Sequence, residues 1–89
     1  MLHMVIVKHT AESCPGRSGN EDVIPCMQKL DGLLAERGIR TVGRWADPPA
    51  HVNYVVLDAP HAHAIVEAFM ESGLASHTTT EIRPVLGMD

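Results

Sequence analysis

The stretch Val-Lys-His-Thr-Ala-Glu-Ser-Cys, residues 7–14, sets His9, Glu12 and Cys14 within six residues of one another at the end of an apolar run. Imidazole and thiolate are good ligands for zinc, nickel, copper or iron. No Cys-x-x-Cys or His-Glu-x-x-His motif accompanies them, so any metal site has to be assembled by the fold from distant positions. His51 and His77 are the candidates to join His9, with Cys14 as a fourth ligand. Three protein ligands would leave a coordination position open for catalysis, whereas four would indicate storage, sensing or structure. The competing account is plain: histidines at strand ends are ordinarily solvated or bonded to loop carbonyls.

Three further groups carry chemistry. Trp45, with Arg44, Asn53, Glu81 and Arg83, could wall a pocket in which Glu81 or a histidine moves a proton, if desolvation tunes its pKa. Those same residues also read as a Trp filling an interface beside a cross-strand Glu–Arg pair. His61 and His63 sit two apart at the start of a helix and so do not share a face. The Gly-rich loop Cys14–Asn20 precedes a helix and could cradle an anion there, but Glu21 and Asp22 would repel phosphate, and a flexible loop explains it equally. Cys14 and Cys26 read as reduced thiols rather than a disulfide.

The elements that must position these residues are legible from periodicity. Residues 2–10, with Val5, Ile6 and Val7, predict a strand. A loop, 11–20, leads to a helix from about Asp22 to Arg37, with Pro25 in its first turn and Gly38 as its stop. Val23, Met27, Leu30 and Leu34 share one face. Residues 39–46 predict a second strand, Asp47–Ala50 a turn, and residues 51–58 a third strand. Ala59-Pro60 opens a second helix that buries Ala62, Ile65 and Phe69 and ends at Gly73. Residues 77–86, rich in β-branched side chains, predict a fourth strand.

The order β-α-β-β-α-β is the split βαβ, or ferredoxin-like, α+β arrangement. Its usual sheet is antiparallel, order 4-1-3-2, with both helices on one face. In that topology the end of the first strand lies beside the beginnings of the third and fourth, which brings His9, His51 and His77 to one end of the sheet. Alternation suggests that Met4, Ile6, Val42, Val52, Tyr54, Val56 and Ile82 face the helices. The bare face would then carry His3, Val5, Val7, His9, Trp45, Asn53, Val55, Thr79, Glu81 and Arg83, with His3, Val7, Trp45, Asn53 and Glu81 lining a pocket. A one-residue slip exchanges the two sets. A bare apolar sheet face favours a homodimer that packs two such faces together.

Composition narrows the function classes. The 89 residues, read as one domain (1–89), are 45% hydrophobic and carry net charge −4. That balance disfavours nucleic acid, which needs clustered Lys and Arg, and one Trp, one Tyr and one Phe give no stacking platform. No apolar run is long enough to span a bilayer, and the N-terminus lacks the marks of a signal peptide. The expectation is a cytoplasmic protein without a membrane partner.

"MLHMV", "VGRWADPP" running to "VNYVVLDA", "AHAIVEAF" and "TEIRPVL" together resemble small stand-alone domains of the dimeric α+β barrel superfamily. The chain is similar to uncharacterised domain families in it that include nickel-binding members, one of which carries a stretch like Trp45–Pro48. Where that group has a His-Glu-Arg-Ala-Gly-type segment, this chain reads Phe69-Met70-Glu71-Ser72-Gly73. The resemblance implies the fold and a dimer. With the histidines, it makes the leading expectation a homodimeric binding protein holding a divalent transition metal, nickel or zinc, through His9, Cys14, His51 and His77. The alternatives are a monooxygenase- or isomerase-like enzyme acting on a small molecule in the barrel pocket, its catalytic residues unassigned, and a purely structural or interaction module.

Overall fold

The computed structural model describes residues 1–14 and 19–88. The elements follow the expected order: β1 (Leu2–Lys8), α1 (Val23–Glu36), β2 (Arg40–Asp47), β3 (Val52–Asp58), α2 (Ala62–Ser72) and β4 (Thr79–Val85). Short 3-10 turns at Pro48–Ala50 and Leu74–Ser76 lead into β3 and β4. Asp22 stands at the N-cap of α1 but makes no side-chain cap hydrogen bond, and Pro25 occupies the first turn, where no backbone N–H is missed. The second helix begins later than Pro60 suggested. His61 is its N-cap, and its Nδ1 accepts the N–H of Ala64 at 3.2 Å. Gly73, at φ 84°, ends α2 in a left-handed conformation that favours glycine.

The four strands form one antiparallel sheet in the order β2-β3-β1-β4, which is the 4-1-3-2 ferredoxin-like order read from the other edge. Along β1–β3 the partners share parity, as in Val5↔Val55 and Val7↔Asn53. Along β1–β4 they do not, as in Val5↔Ile82 and Ile6↔Glu81. The β2–β3 pairing shifts register between Thr41 and Gly43, so parity in β2 reverses at Val42, as a bulge requires.

This register corrects the expected faces. His3, Val5, Val7 and Leu57 are buried in the core with α1 and α2, and Val55 packs against it. Met4, Ile6, Tyr54 and Val56 therefore lie on the bare face, opposite to expectation. Ile82 does face the helices, and Trp45, Thr79, Glu81 and Arg83 do lie on the bare face. The reason is that both faces of β1 are apolar, so alternation alone carries no sign. The charges decide. Lys8 meets Glu81 at 3.7 Å and Arg83 meets Glu81 at 3.7 Å, all on the even-numbered side of β1, which must reach water.

The core is built from Val5, Val7 and Leu57 of the sheet, Val23, Leu30 and Leu34 of α1, and Ile65, Ala68 and Phe69 of α2. Arg37, just past α1, forks to Glu67 and Glu71 of α2, each at 2.8 Å. These carboxylates are four apart and share a helix face, so one guanidinium ties the two helices. Leu57, fully buried, should lose about 2–5 kcal/mol on Leu57→Ala, read as a lower urea midpoint at unchanged slope. Val7→Asp should unfold the chain, because it places an unpaired charge beneath the helices; circular dichroism reports it.

Candidate metal centre

The centre grows from the β1–β3 ladder. One step past its last pair, Lys8↔Val52, the His9 N–H donates to the His51 carbonyl at 3.1 Å. The two histidines are thus the next rung of the ladder, and the imidazoles are held face to edge, centroids 5.1 Å apart and planes at 76°. His9 Nε2 and His51 Nδ1 are 3.2 Å apart. Two nitrogens on a tetrahedral zinc stand about 3.3 Å apart, given bonds of about 2.0–2.1 Å. Without an ion, the same contact is an N–H···N hydrogen bond from whichever ring carries the proton.

Cys14 arrives through a tight turn. The Thr10 N–H donates to Ser13 Oγ at 3.0 Å, and the Ser13 N–H donates to Thr10 Oγ1 at 3.2 Å. The Asn20 amide then holds the returning chain, donating to the carbonyls of Glu12 and Cys14. The result is that the ligand atoms of His9, Cys14 and His51 all lie within 4.8 Å of one another, each residue half-buried. Glu12 contributes its backbone to this turn, and its exposed side chain is not part of the group.

His77 stands apart from the three. In β4 the register opposite His9 belongs to an even-numbered residue, since Lys8 faces Thr79. The turn before β4 leaves His77 as its cap at φ −111° and ψ −7°, with its Nε2 4.0 Å from Asp22 Oδ2. His61 and His63 are exposed on α2. Cys14 and Cys26 are both free thiols. Pro15, Gly16, Arg17 and Ser18, the middle of the suggested anion loop, lie outside the described residues.

The backbone at His51 is unusual. Its φ of 56° and ψ of 44° make it the only non-glycine residue with positive φ among the described residues. That conformation costs an L-residue roughly 1–2 kcal/mol, and such strain is often found at functional sites. It arises because Asp47 Oδ1 accepts the Ala50 N–H, and Pro48 accepts the His51 N–H, closing a one-turn bend into β3. The His9 pKa is lowered, first by burial and then by the neighbouring His51. His9 is therefore neutral at neutral pH, as a metal ligand must be. Protonating His9 is disfavoured in the fold, and folding stability therefore declines as the pH falls below the ordinary value near 6.5.

Of the five residues expected to line one pocket, Val7, Trp45 and Asn53 line the same cavity, beneath α1, and His3 and Glu81 do not. His3 is buried on the same side, its Nδ1 donating to the Met1 carbonyl at 3.1 Å. Glu81 is on the other face. Trp45 also belongs to that face by its pairing with Tyr54. Its ring covers Gly43, where an added Cβ would meet the indole at 2.5 Å. The pocket was expected on the bare face because the parity of β1 and β3 was reversed; the even-numbered charges Lys8 and Asp58 were the available signal.

Strain and ligation can be separated at position 51. Without metal, His51→Gly should leave stability within about 1 kcal/mol of the parent and His51→Ala should be the less stable of the two, because only glycine adopts this conformation freely. Urea unfolding of metal-free protein measures both.

No protein-family model matches the chain, and no curated protein does. Among solved structures, the chain is similar to SCO4226 from Streptomyces coelicolor A3(2), with a TM-score of 0.65 at 20% identity, covering 98% of this chain and 99% of that one. At that identity the likeness shows the fold: a small α+β domain of the ferredoxin-like kind.

Proposed function

We propose that the protein binds a divalent transition metal, nickel or zinc, through His9, His51 and Cys14. The observation that carries this reading is the mutual approach of three ligand atoms, two from the stretch that follows β1 and one from the residue that precedes β3. Two nitrogens and one sulfur suit borderline-soft ions. The metal would supply Lewis acidity at a position open to a further ligand. The chain's own contribution is geometric: the β1–β3 rung holds the rings, and the Thr10–Ser13 turn presents the thiol.

The test uses protein purified without a histidine tag. Equilibrium dialysis against zinc or nickel, followed by elemental analysis, should give one ion per chain. His9→Ala and Cys14→Ser should each reduce the affinity at least tenfold, while His77→Ala leaves it unchanged. Cobalt loading should give a thiolate charge-transfer band that Cys14→Ser abolishes. Sub-stoichiometric metal insensitive to His9→Ala would remove the proposal.

The partner in this reading is a second copy of the chain. Support comes from the bare sheet face, where half-buried Met4, Ile6 and Val56 adjoin Tyr54 and Trp45, the latter 57% exposed. Contiguous apolar surface of this kind marks interaction sites, and a two-fold contact buries it in both copies at once. Ile6→Asp should give a folded monomer and Glu36→Asp should leave the dimer intact, both read by light scattering at micromolar concentration. A monomeric parent protein would rule out the dimer.

A further inference from the structure

A cavity of about 320 Å³ lies between the sheet and α1, and none of the three candidate ligands is in its lining. Its walls are aliphatic and aromatic: Val7, Leu30, Leu34, Leu57 and Phe69. Asn53 is the side-chain amide among them, with Trp45 and Tyr54 also in the lining. Asn53 is the cross-strand partner of Val7, on the side of the sheet that otherwise carries the apolar core. Its amide makes no hydrogen bond to another described side chain or backbone group beyond the ladder. An asparagine offers both a donor and an acceptor, and Asn53 is only half-buried, so its amide is accessible to an occupant of the cavity. At the rim, Arg44 and Asp31 neutralise each other in an ion pair, so the entrance favours neither sign of charge.

We propose that this cavity binds a small neutral aromatic molecule carrying one hydroxyl or carbonyl group, which Asn53 engages. The size follows from volume. An apolar cavity of about 150 Å³ takes benzene, so this one accommodates about two fused rings. The volume and apolar lining are those of small-molecule sites, in which a few polar groups fix orientation. A smaller void of about 40 Å³ shares Val7, Met27, Asn53 and Leu74 with the cavity and is also lined by His9 and Ser13. The polar end of the occupant is therefore directed toward the histidine pair. The binding site stands on the cavity itself and does not depend on a metal being held.

The probes are 1-naphthol and naphthalene, titrated into chelator-treated, metal-free protein, so that the outcome is separate from that of the metal experiment. Both should bind saturably at one molecule per chain, with amide shifts in two-dimensional NMR centred on Val7 and Asn53. Ala46, exposed on β2 and lining the rim of the cavity, allows the entrance to be filled without disturbing the core: Ala46→Phe should weaken both ligands at least tenfold. Asn53→Leu should weaken 1-naphthol about fivefold, as expected for one hydrogen bond, and leave naphthalene as tight or tighter. Glu36→Asp should change neither. Absence of saturable binding to the parent protein would overturn the proposal, as would affinity unaffected by Ala46→Phe. An equal loss of both ligands on Asn53→Leu would overturn the assignment of the polar contact.

Discussion

The antiparallel pairing of β1 with β3 is the interaction on which the other features depend. It joins the two central strands, and its register decides which side chains meet the helices. Continued by one rung, it joins His9 to His51. A slip of one residue would turn Val5, Val7 and Leu57 out of the core and the histidine pair with them. The candidate centre and the hydrophobic core are therefore specified by the same set of backbone hydrogen bonds. Burial of Val5 and Leu57, both fully inaccessible, holds the histidines in register as firmly as any contact of their own.

Much of this architecture was legible in the sequence, and the reasons are local. Gly38 and Gly73 sit where helices stop, Pro25 where a helix begins, and the β-branched runs where strands lie. Their order leaves few topologies. The meeting of His9 and His51 followed from that topology without any motif. What was not legible was the sign of the alternation. Leu2, Met4 and Ile6 are as apolar as Val5 and Val7, and only Lys8 and the polar residues of β4 break the tie. The shift at Val42 has no sequence mark beyond the neighbouring Gly43, yet it is what sends Arg44 and Ala46 to the helix side and Trp45 to the other. His77, read from sequence as the first residue of the fourth strand, instead caps the 3-10 turn Leu74–Ser76 and stays out of the group.

The molecule divides its apolar surface between two layers of different character. Beneath the helices, Val5, Ile65 and Ala68 are sealed, and a cavity opens near α1. Outside the sheet, apolar residues alternate with the Lys8–Glu81–Arg83 charges, which are solvated ion pairs contributing little to stability. These charges border the patch on the β4 side, while Tyr54 and Trp45 extend it toward the opposite edge.

The seat of Trp45 has a spectroscopic consequence. The chain has a single tryptophan, and its indole packs over Gly43 and is more than half in water. Its intrinsic emission is thus a long-wavelength signal from one known location, and it responds to loss of water there. Gly43 leaves the space the indole occupies: a larger residue there would displace the ring and change its hydration. The fluorophore is a built-in gauge of what covers it.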